Sequence, residues 1–327
     1  MKTTTIATTL LTITASLAAA ACGNSSTQET ADAVSAPSPS TTFSPASTTI
    51  GPATSTISPT TTVSLATTTV SPATTTVERP TEVFDELIRI DHGRLHLRCV
   101  GAGPTTVLLV AGWGDGGDKW GAIEPAVAER ARVCSYSRFG TGTSDPPSTT
   151  QTFATQAADL HALLDTAREP GPYVVLGQSF GGPQAVTFAS TYANEVTGLI
   201  LLDATPTTWP ATVCSVAAYE AGCAVMRNPA LDPERVDVFP AFEQVATITS
   251  LGDLPMTVMT AAHRDGTGLP PGELERLDAL WNQGVERWAG LSSSSNVVTV
   301  EDTGHHIELD QPQLVIDELL KLLPERS

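Results

Sequence analysis

The pentapeptide Gly177-Gln178-Ser179-Phe180-Gly181 is the segment of this 327-residue chain whose residue types and spacing best suit covalent chemistry. Small residues two positions before and two after the serine let a strand turn sharply into a helix and push the hydroxyl outward. A serine hydroxyl attacks only when a base removes its proton, and imidazole is the usual base near neutral pH. Taken alone, the pentapeptide also fits a serine that caps a helix. Six histidines are available as bases: His92, His96, His161, His263, His305 and His306. Their spacing offers no zinc-ligand pattern. Asp115-Gly116-Gly117-Asp118 reads as a polar loop rather than a cation site.

A scaffold that can hold such residues is written into the patterning after Arg79. Leu87–Ile90 and Leu95–Val100 flank His92-Gly93, a hairpin signal. Thr105–Ala111, Arg132–Tyr136, Tyr173–Leu176, Val196–Leu202, Met256–Thr260 and Val297–Val300 read as strands, and Phe153–Ala167, Phe180–Tyr192 and Leu314–Leu323 as helices. Strands alternating with helices after an initial hairpin predict an α/β domain with a mostly parallel sheet covered on both faces. Ser179 then stands where a strand hands over to a helix.

In that context the pentapeptide is a nucleophile elbow, and further matches flank it in order. Gly112-Trp113 follows the third strand, with Trp120 eight residues beyond the glycine. Arg138-Phe139-Gly140-Thr141-Gly142-Thr143-Ser144-Asp145 forms a glycine-rich loop, and Gly304-His305 is followed by Asp310-Gln311-Pro312. Together, residues 84–324 resemble the α/β-hydrolase fold superfamily, its serine esterases and lipases in particular. The resemblance implies an eight-stranded, mostly parallel sheet flanked by helices, with a small cap between strands six and seven at about 205–253. It implies Ser179 as nucleophile, His305 as base, and Asp203 as the acid, with Asp265 after the seventh strand as the alternative. The backbone N–H groups of Trp113 and Phe180 would form the oxyanion hole. Ala111 stands where the family usually carries a loop-supporting histidine. Serine at the nucleophile position argues against epoxide hydrolase and haloalkane dehalogenase chemistry, which need aspartate there. The expected activity is cleavage of a small-molecule or lipid carboxylic ester through an acyl-enzyme, without cofactor or metal. An acyltransferase, thioesterase or peptidase would use the same triad, and a non-catalytic binding protein of this fold is the remaining alternative.

Composition divides the chain. It carries 17 Lys+Arg against 35 Asp+Glu, a net charge of -18, which lacks the basic footprint nucleic acid requires. Residues 1–80 hold two of the bases and three of the acids, so the hydrolase-like part alone carries -17. Residues 1–21 read as a signal peptide, with Lys2, an apolar stretch from Ile6 to Leu17 and small residues at Ala18–Ala21. Ala19-Ala20-Ala21-Cys22-Gly23 resembles a bacterial lipobox without its usual leucine, so Cys22 is expected to carry a lipid that anchors the exported protein to the membrane; plain secretion is the alternative. Residues 22–79 are a Thr/Ser/Pro/Ala-rich stalk in which apolar residues from Phe43 to Val77 recur about every seven positions. One apolar residue per repeat cannot build a coiled-coil seam, so an extended tether with hydroxyls open to O-glycosylation is expected. Residues 80–327 form the hydrolase-like domain. Its four cysteines, in an oxidising setting, favour disulfides. The family's strand order puts strands two and four side by side, which implies Cys99–Cys134, and Cys214–Cys223 then closes a short loop.

Overall fold

The apolar runs form one eight-stranded sheet: β1 (Phe84–Ile90), β2 (Gly93–Val100), β3 (Thr106–Val110), β4 (Arg132–Ser137), β5 (Tyr173–Gln178), β6 (Val196–Leu202), β7 (Met256–Ala261) and β8 (Ser295–Val300). This computed structural model describes residues 83–262 and 272–325. The signal-like segment, the stalk, Cys22, His263 and Asp265 lie outside the described residues. The strands lie in the order β1-β2-β4-β3-β5-β6-β7-β8. β2 pairs antiparallel with both β1 and β4, and all remaining pairs are parallel.

Side-chain alternation along the central strands divides the core into two layers, as the period of two along a strand requires. Val107, Leu109, Val174, Leu176, Ile200 and Leu202 face one layer, where α1 (Glu124–Ala128) and the C-terminal helix supply Val127, Val315, Ile316 and Leu319. Leu108, Val110, Tyr173, Val175, Leu199 and Leu201 face the other, against α2 (Phe153–Ala167) and α3 (Gly181–Thr191). Both faces are covered, so the strands read as continuous apolar runs. α2 has the boundaries its periodicity predicts. Thr152 and Thr155 cap it reciprocally, each backbone N–H donating to the other's hydroxyl.

Between β6 and β7 lie three short helices, α4 (Trp209–Val213), α5 (Glu220–Arg227) and α6 (Val238–Ala246). A 17-residue helix, α7 (Glu273–Ala289), crosses over from β7 to β8, and α8 (Ile307–Asp310) and α9 (Pro312–Lys321) close the described chain. Two disulfides are formed. Cys99–Cys134 joins directly opposed residues of β2 and β4, and Cys214–Cys223 ties the end of α4 to α5. Among the described residues, the metal-like grouping Cys99, Cys134 and Glu169 has its sulfurs bonded to each other and its carboxylate bonded to Arg132 at 2.6 Å. No helix among the described residues is long and apolar enough to cross a membrane.

Candidate active site

β5 ends at Gln178 and α3 begins at Gly181, so Ser179 and Phe180 form the turn between them. Ser179 has φ +54°, in the left-handed region that costs a non-glycine residue free energy unless its surroundings enforce it. Its N–H donates to Leu202 O at 3.0 Å, and its carbonyl accepts from Gly182 N and Thr205 N at 2.9 and 3.0 Å. The flanking glycines are required sterically. A Cβ at Gly177 would meet Gly181 O within 2.4 Å, and one at Gly181 would meet Val110 O at the same distance.

His305 reaches this turn from the loop after β8. Its Nε2 lies 2.8 Å from Ser179 Oγ, and its Nδ1 lies 2.6 Å from Asp203 Oδ2. Asp203 follows β6, with φ +40° and a fully buried side chain. Its Oδ1 accepts from Thr260 Oγ1 at 3.1 Å and from Ala261 N at 3.2 Å. An acceptor on one ring nitrogen fixes the tautomer: Nδ1 carries the proton and Nε2 is free to accept one from the serine. Trp281 of α7 stands edge-on to the His305 ring, centroids 5.8 Å apart. Asp310, the aspartate of the segment following the histidine, holds the loop by accepting from Thr303 Oγ1 at 3.0 Å and Gly304 N at 3.2 Å.

The other histidines with described positions point elsewhere. His306 Nδ1 bonds Glu308 at 3.1 Å, His92 pairs with Asp159, His96 with Asp85, and His161 stacks on Tyr192.

The loop after β3 is held from three directions. Arg138 donates to the carbonyls of Ala111 and Gly112 and, through Nε, to Glu234 Oε2 at 2.6 Å. Glu234 Oε1 accepts from Gly114 N at 2.6 Å, and Asp232 Oδ1 accepts from the Trp113 indole N–H at 3.1 Å. Both members of the Arg138–Glu234 pair are buried, 3% and 1% exposed. Burial alone would lower the Arg138 pKa, but the charge and hydrogen bond of Glu234 outweigh it and hold the guanidinium above its usual range. These contacts do the supporting work that a histidine at position 111 would do. The Trp113 and Phe180 rings stack with centroids 5.1 Å apart. Among the described residues neither backbone N–H has an acceptor, so both are available to a bound oxygen.

Beside His305 lies a second polar network. Lys119 Nζ bonds Asp115 Oδ2 at 2.7 Å, Gln178 Oε1 at 2.9 Å and Glu308 Oε1 at 3.0 Å. Gln178 Nε2 donates to the His305 carbonyl at 3.4 Å. Hydrogen bonding to Glu308 raises the His306 pKa. Burial pushes Glu308 upward, but the His306 bond and the Lys119 charge outweigh that and leave it lowered.

Residues 105–220 match the family described as alpha/beta hydrolase fold. A solved structure, the epoxide hydrolase CorEH, superposes with a TM-score of 0.53 at 19% identity, covering 74% of this chain and 98% of that one. The chain has the α/β-hydrolase fold. Among curated relatives, this chain is 34% identical over 110 residues to Lipase LipV of Mycobacterium tuberculosis, covering 33% of this chain and 41% of the lipase. It is 26% identical over 290 residues to the probable transporter efuK of Hormonema carpetanum, covering 71% of this chain and 42% of that protein. The chain thus spans less than half the length of these relatives.

Sequence reasoning named Ser179, His305, Asp203, Trp113 and Phe180, and the structure brings all five to one end of the α/β-hydrolase sheet. It did not find Glu234, Asp232, Lys119, Glu308 or Trp281. For Trp281 a signal existed: Leu277, Leu280, Trp281, Gly284 and Trp288 recur at helical spacing. The acidic cap residues carry no local signal.

Proposed function

We propose that this protein is an exported serine hydrolase that cleaves carboxylic esters through an acyl-enzyme. The observation that carries the reading is the unbroken line from Ser179 Oγ through His305 to buried Asp203, at 2.8 and 2.6 Å. Ser179 Oγ attacks the ester carbonyl while its proton passes to His305 Nε2. The carbonyl oxygen becomes an oxyanion that the Trp113 and Phe180 N–H groups receive. The carbon–oxygen bond to the alcohol then breaks, and His305 returns the proton to the departing alkoxide. Water repeats the sequence on the acyl-enzyme, giving its proton to His305, and the carboxylic acid leaves as Ser179 regains its hydrogen. Asp203, bonded to Nδ1, orients the ring and stabilises the imidazolium. The same position holding serine instead of a carboxylate separates this reading from epoxide opening, although the neighbour CorEH is named an epoxide hydrolase.

A cavity of about 540 Å³ next to the site is lined by Trp209, Val213, Tyr219, Val225, Met226 and Leu277 among others. Such a lining suits an apolar acyl chain. Export and a lipid on Cys22 complete the proposal, with residues 22–79 as the spacer between membrane and enzyme. The test is hydrolysis of chromogenic esters of increasing acyl length by wild type and Ser179→Ala. Serine-dependent turnover of oxygen esters supports the reading. Turnover confined to thioesters, amides or acyl transfer replaces it with the related activity, and none at all leaves a binding protein. Mass spectrometry of the mature N-terminus tests the lipid on Cys22.

A further inference from the structure

Two cavities adjoin at Trp113, Trp209 and Trp281, and they differ in chemistry. The apolar cavity shares Trp113, Trp209 and Trp281 with a second one of about 570 Å³ that contains Ser179 and His305. The second has Asp115, Gln178 and His306 in its wall. An ester has two arms, and the apolar cavity takes one of them. The polar wall faces the other.

The wall's hydrogen-bonding capacity is one-sided. All three protons of Lys119 are engaged, by Asp115, Gln178 and Glu308. Arg138 is engaged by Glu234 and by the carbonyls of Ala111 and Gly112. Among the described residues no lysine or arginine lines either cavity, and the wall's imidazole, His306, is already paired with Glu308, so an anionic alcohol meets no unpaired cation there. Asp115, by contrast, uses only Oδ2, and its side chain is 41% exposed. A Cβ built at Gly112 would lie 3.2 Å from Asp115 Oδ2 and 3.4 Å from Ser179 Cβ. The Asp115 carboxylate and Ser179 therefore both border Gly112 and the same cavity. Lys119 holds the carboxylate in place through Oδ2, leaving Oδ1 open.

We propose that this wall is the leaving-alcohol subsite and selects alcohols with a free hydroxyl next to the ester oxygen, which donates to the Asp115 carboxylate. The inference rests on the ester-hydrolase reading above and names its substrate class: an apolar acyl chain on a neutral, hydroxylated alcohol. A glycerol and a sugar offer the same donor and are separated by the test.

One octanoyl chain is presented on four alcohols: methanol, glycerol, glucose and glycolate, the last an anion. Wild type is expected to show kcat/KM about tenfold higher for the glyceryl or glucosyl ester than for the methyl ester, the scale of one charge-assisted hydrogen bond. The glycolate ester should be the poorest. The better of the two hydroxylated esters distinguishes a small polyol from a sugar. In Asp115→Ala the hydroxylated-to-methyl ratio should fall to within about twofold of unity, in whatever direction the methyl rate itself moves. A wild-type ratio already within twofold of unity overturns the inference with no variant needed. So does an undiminished ratio in Asp115→Ala. Turnover of the methyl ester without hydroxyl preference removes only this inference, whereas no serine-dependent turnover of any ester removes the parent reading with it.

Discussion

Glu234→Gln removes one charge and changes almost no volume, so it isolates what the buried pair with Arg138 contributes. In the native protein the carboxylate accepts from Arg138 Nε at 2.6 Å, from Arg138 Nη2 at 3.1 Å and from Gly114 N at 2.6 Å. A glutamine has a single carbonyl oxygen to offer these donors, and its amide N–H groups would face whichever donor the oxygen does not serve. One buried donor is then left without an acceptor, at about 1–3 kcal/mol. The guanidinium also loses its counter-charge in a place where both partners are almost fully buried. Breaking one side of such a pair costs about 3–5 kcal/mol in all, which a urea titration reads as a midpoint lowered by about 1 M. The same change frees the loop carrying Trp113. Loss of a whole oxyanion donor costs about 10²–10³ in kcat. Trp113 is still held by Asp232 and by stacking on Phe180, so kcat should fall about 10–100-fold, with KM within about threefold. Adding Arg138→Met to Glu234→Gln should recover part of the stability, because no unpaired charge remains. An unchanged midpoint together with kcat within twofold of wild type would refute the idea that the cap's carboxylate supports the oxyanion loop.

Two further outcomes test the site more directly. Asp203→Asn keeps the shape but withdraws the charge that fixes the His305 tautomer, and should depress kcat by about 10³–10⁴-fold; activity near wild type would move the role to another acid, Asp265 foremost. Replacing His306 with glutamine should alter stability in a defined pH window. The histidine's pKa is raised above 6.5 by Glu308, so its contribution is complete below that pH and fades as pH rises through the folded value. Glu308 is lowered below 4.5, so its contribution is present above that pH and fades as pH falls through the folded value. Lys119, Asp115 and His305 also face this pair and are common to both proteins. The difference in melting temperature between wild type and His306→Gln should therefore be largest between about pH 4.5 and 6.5 and shrink on either side; a difference independent of pH would show that the pair does not act through its charges.

The parts of this molecule that could be read from its sequence are those whose causes are local. A mostly apolar run such as Val196–Leu202 has one way to bury both faces, and Gly177 and Gly181 mark a turn that admits no side chain at either place. Cys99 and Cys134 became a pair once the strand order was implied, since their strands then had to be neighbours. The residues that escaped are those whose meaning is non-local. Arg138 and Glu234 are separated by 96 positions, and nothing near Glu234 distinguishes it from a solvated cap carboxylate. Lys119 and Glu308 are further apart still and meet only because the loops after β3 and β8 converge at one end of the sheet. α7 was hidden for another reason: its exposed face is so rich in Glu, Arg and Asp that the apolar stripe from Leu277 to Trp288 is diluted, although its period was there to be found.

The cap is built in two pieces that meet at Trp113. Residues 232–236 are part of the catalytic floor. Asp232 and Glu234 hold the loop at Trp113 and Gly114, Val236 bridges to Gln151, and Gly140, at φ +84°, packs so closely on the Pro233 carbonyl that no Cβ could stand there. Three segments distant in sequence thus form one body around the oxyanion donors. α4 and α5 touch that body through Trp209, whose ring stands edge-on to Trp113 with centroids 6.4 Å apart. They wall the apolar cavity with Trp209, Val213, Val225 and Met226, and Cys214–Cys223 fastens them to each other. Val213, Val225 and Met226 line the apolar cavity and not the one at Ser179, so changes there can retune which acyl chain fits, whereas a change at 232–236 reaches the chemistry itself. On the proposed ester-hydrolase reading, acyl selectivity and turnover are separable only at those three positions, because Trp209 and Asp232 each border both the apolar cavity and the Trp113 loop.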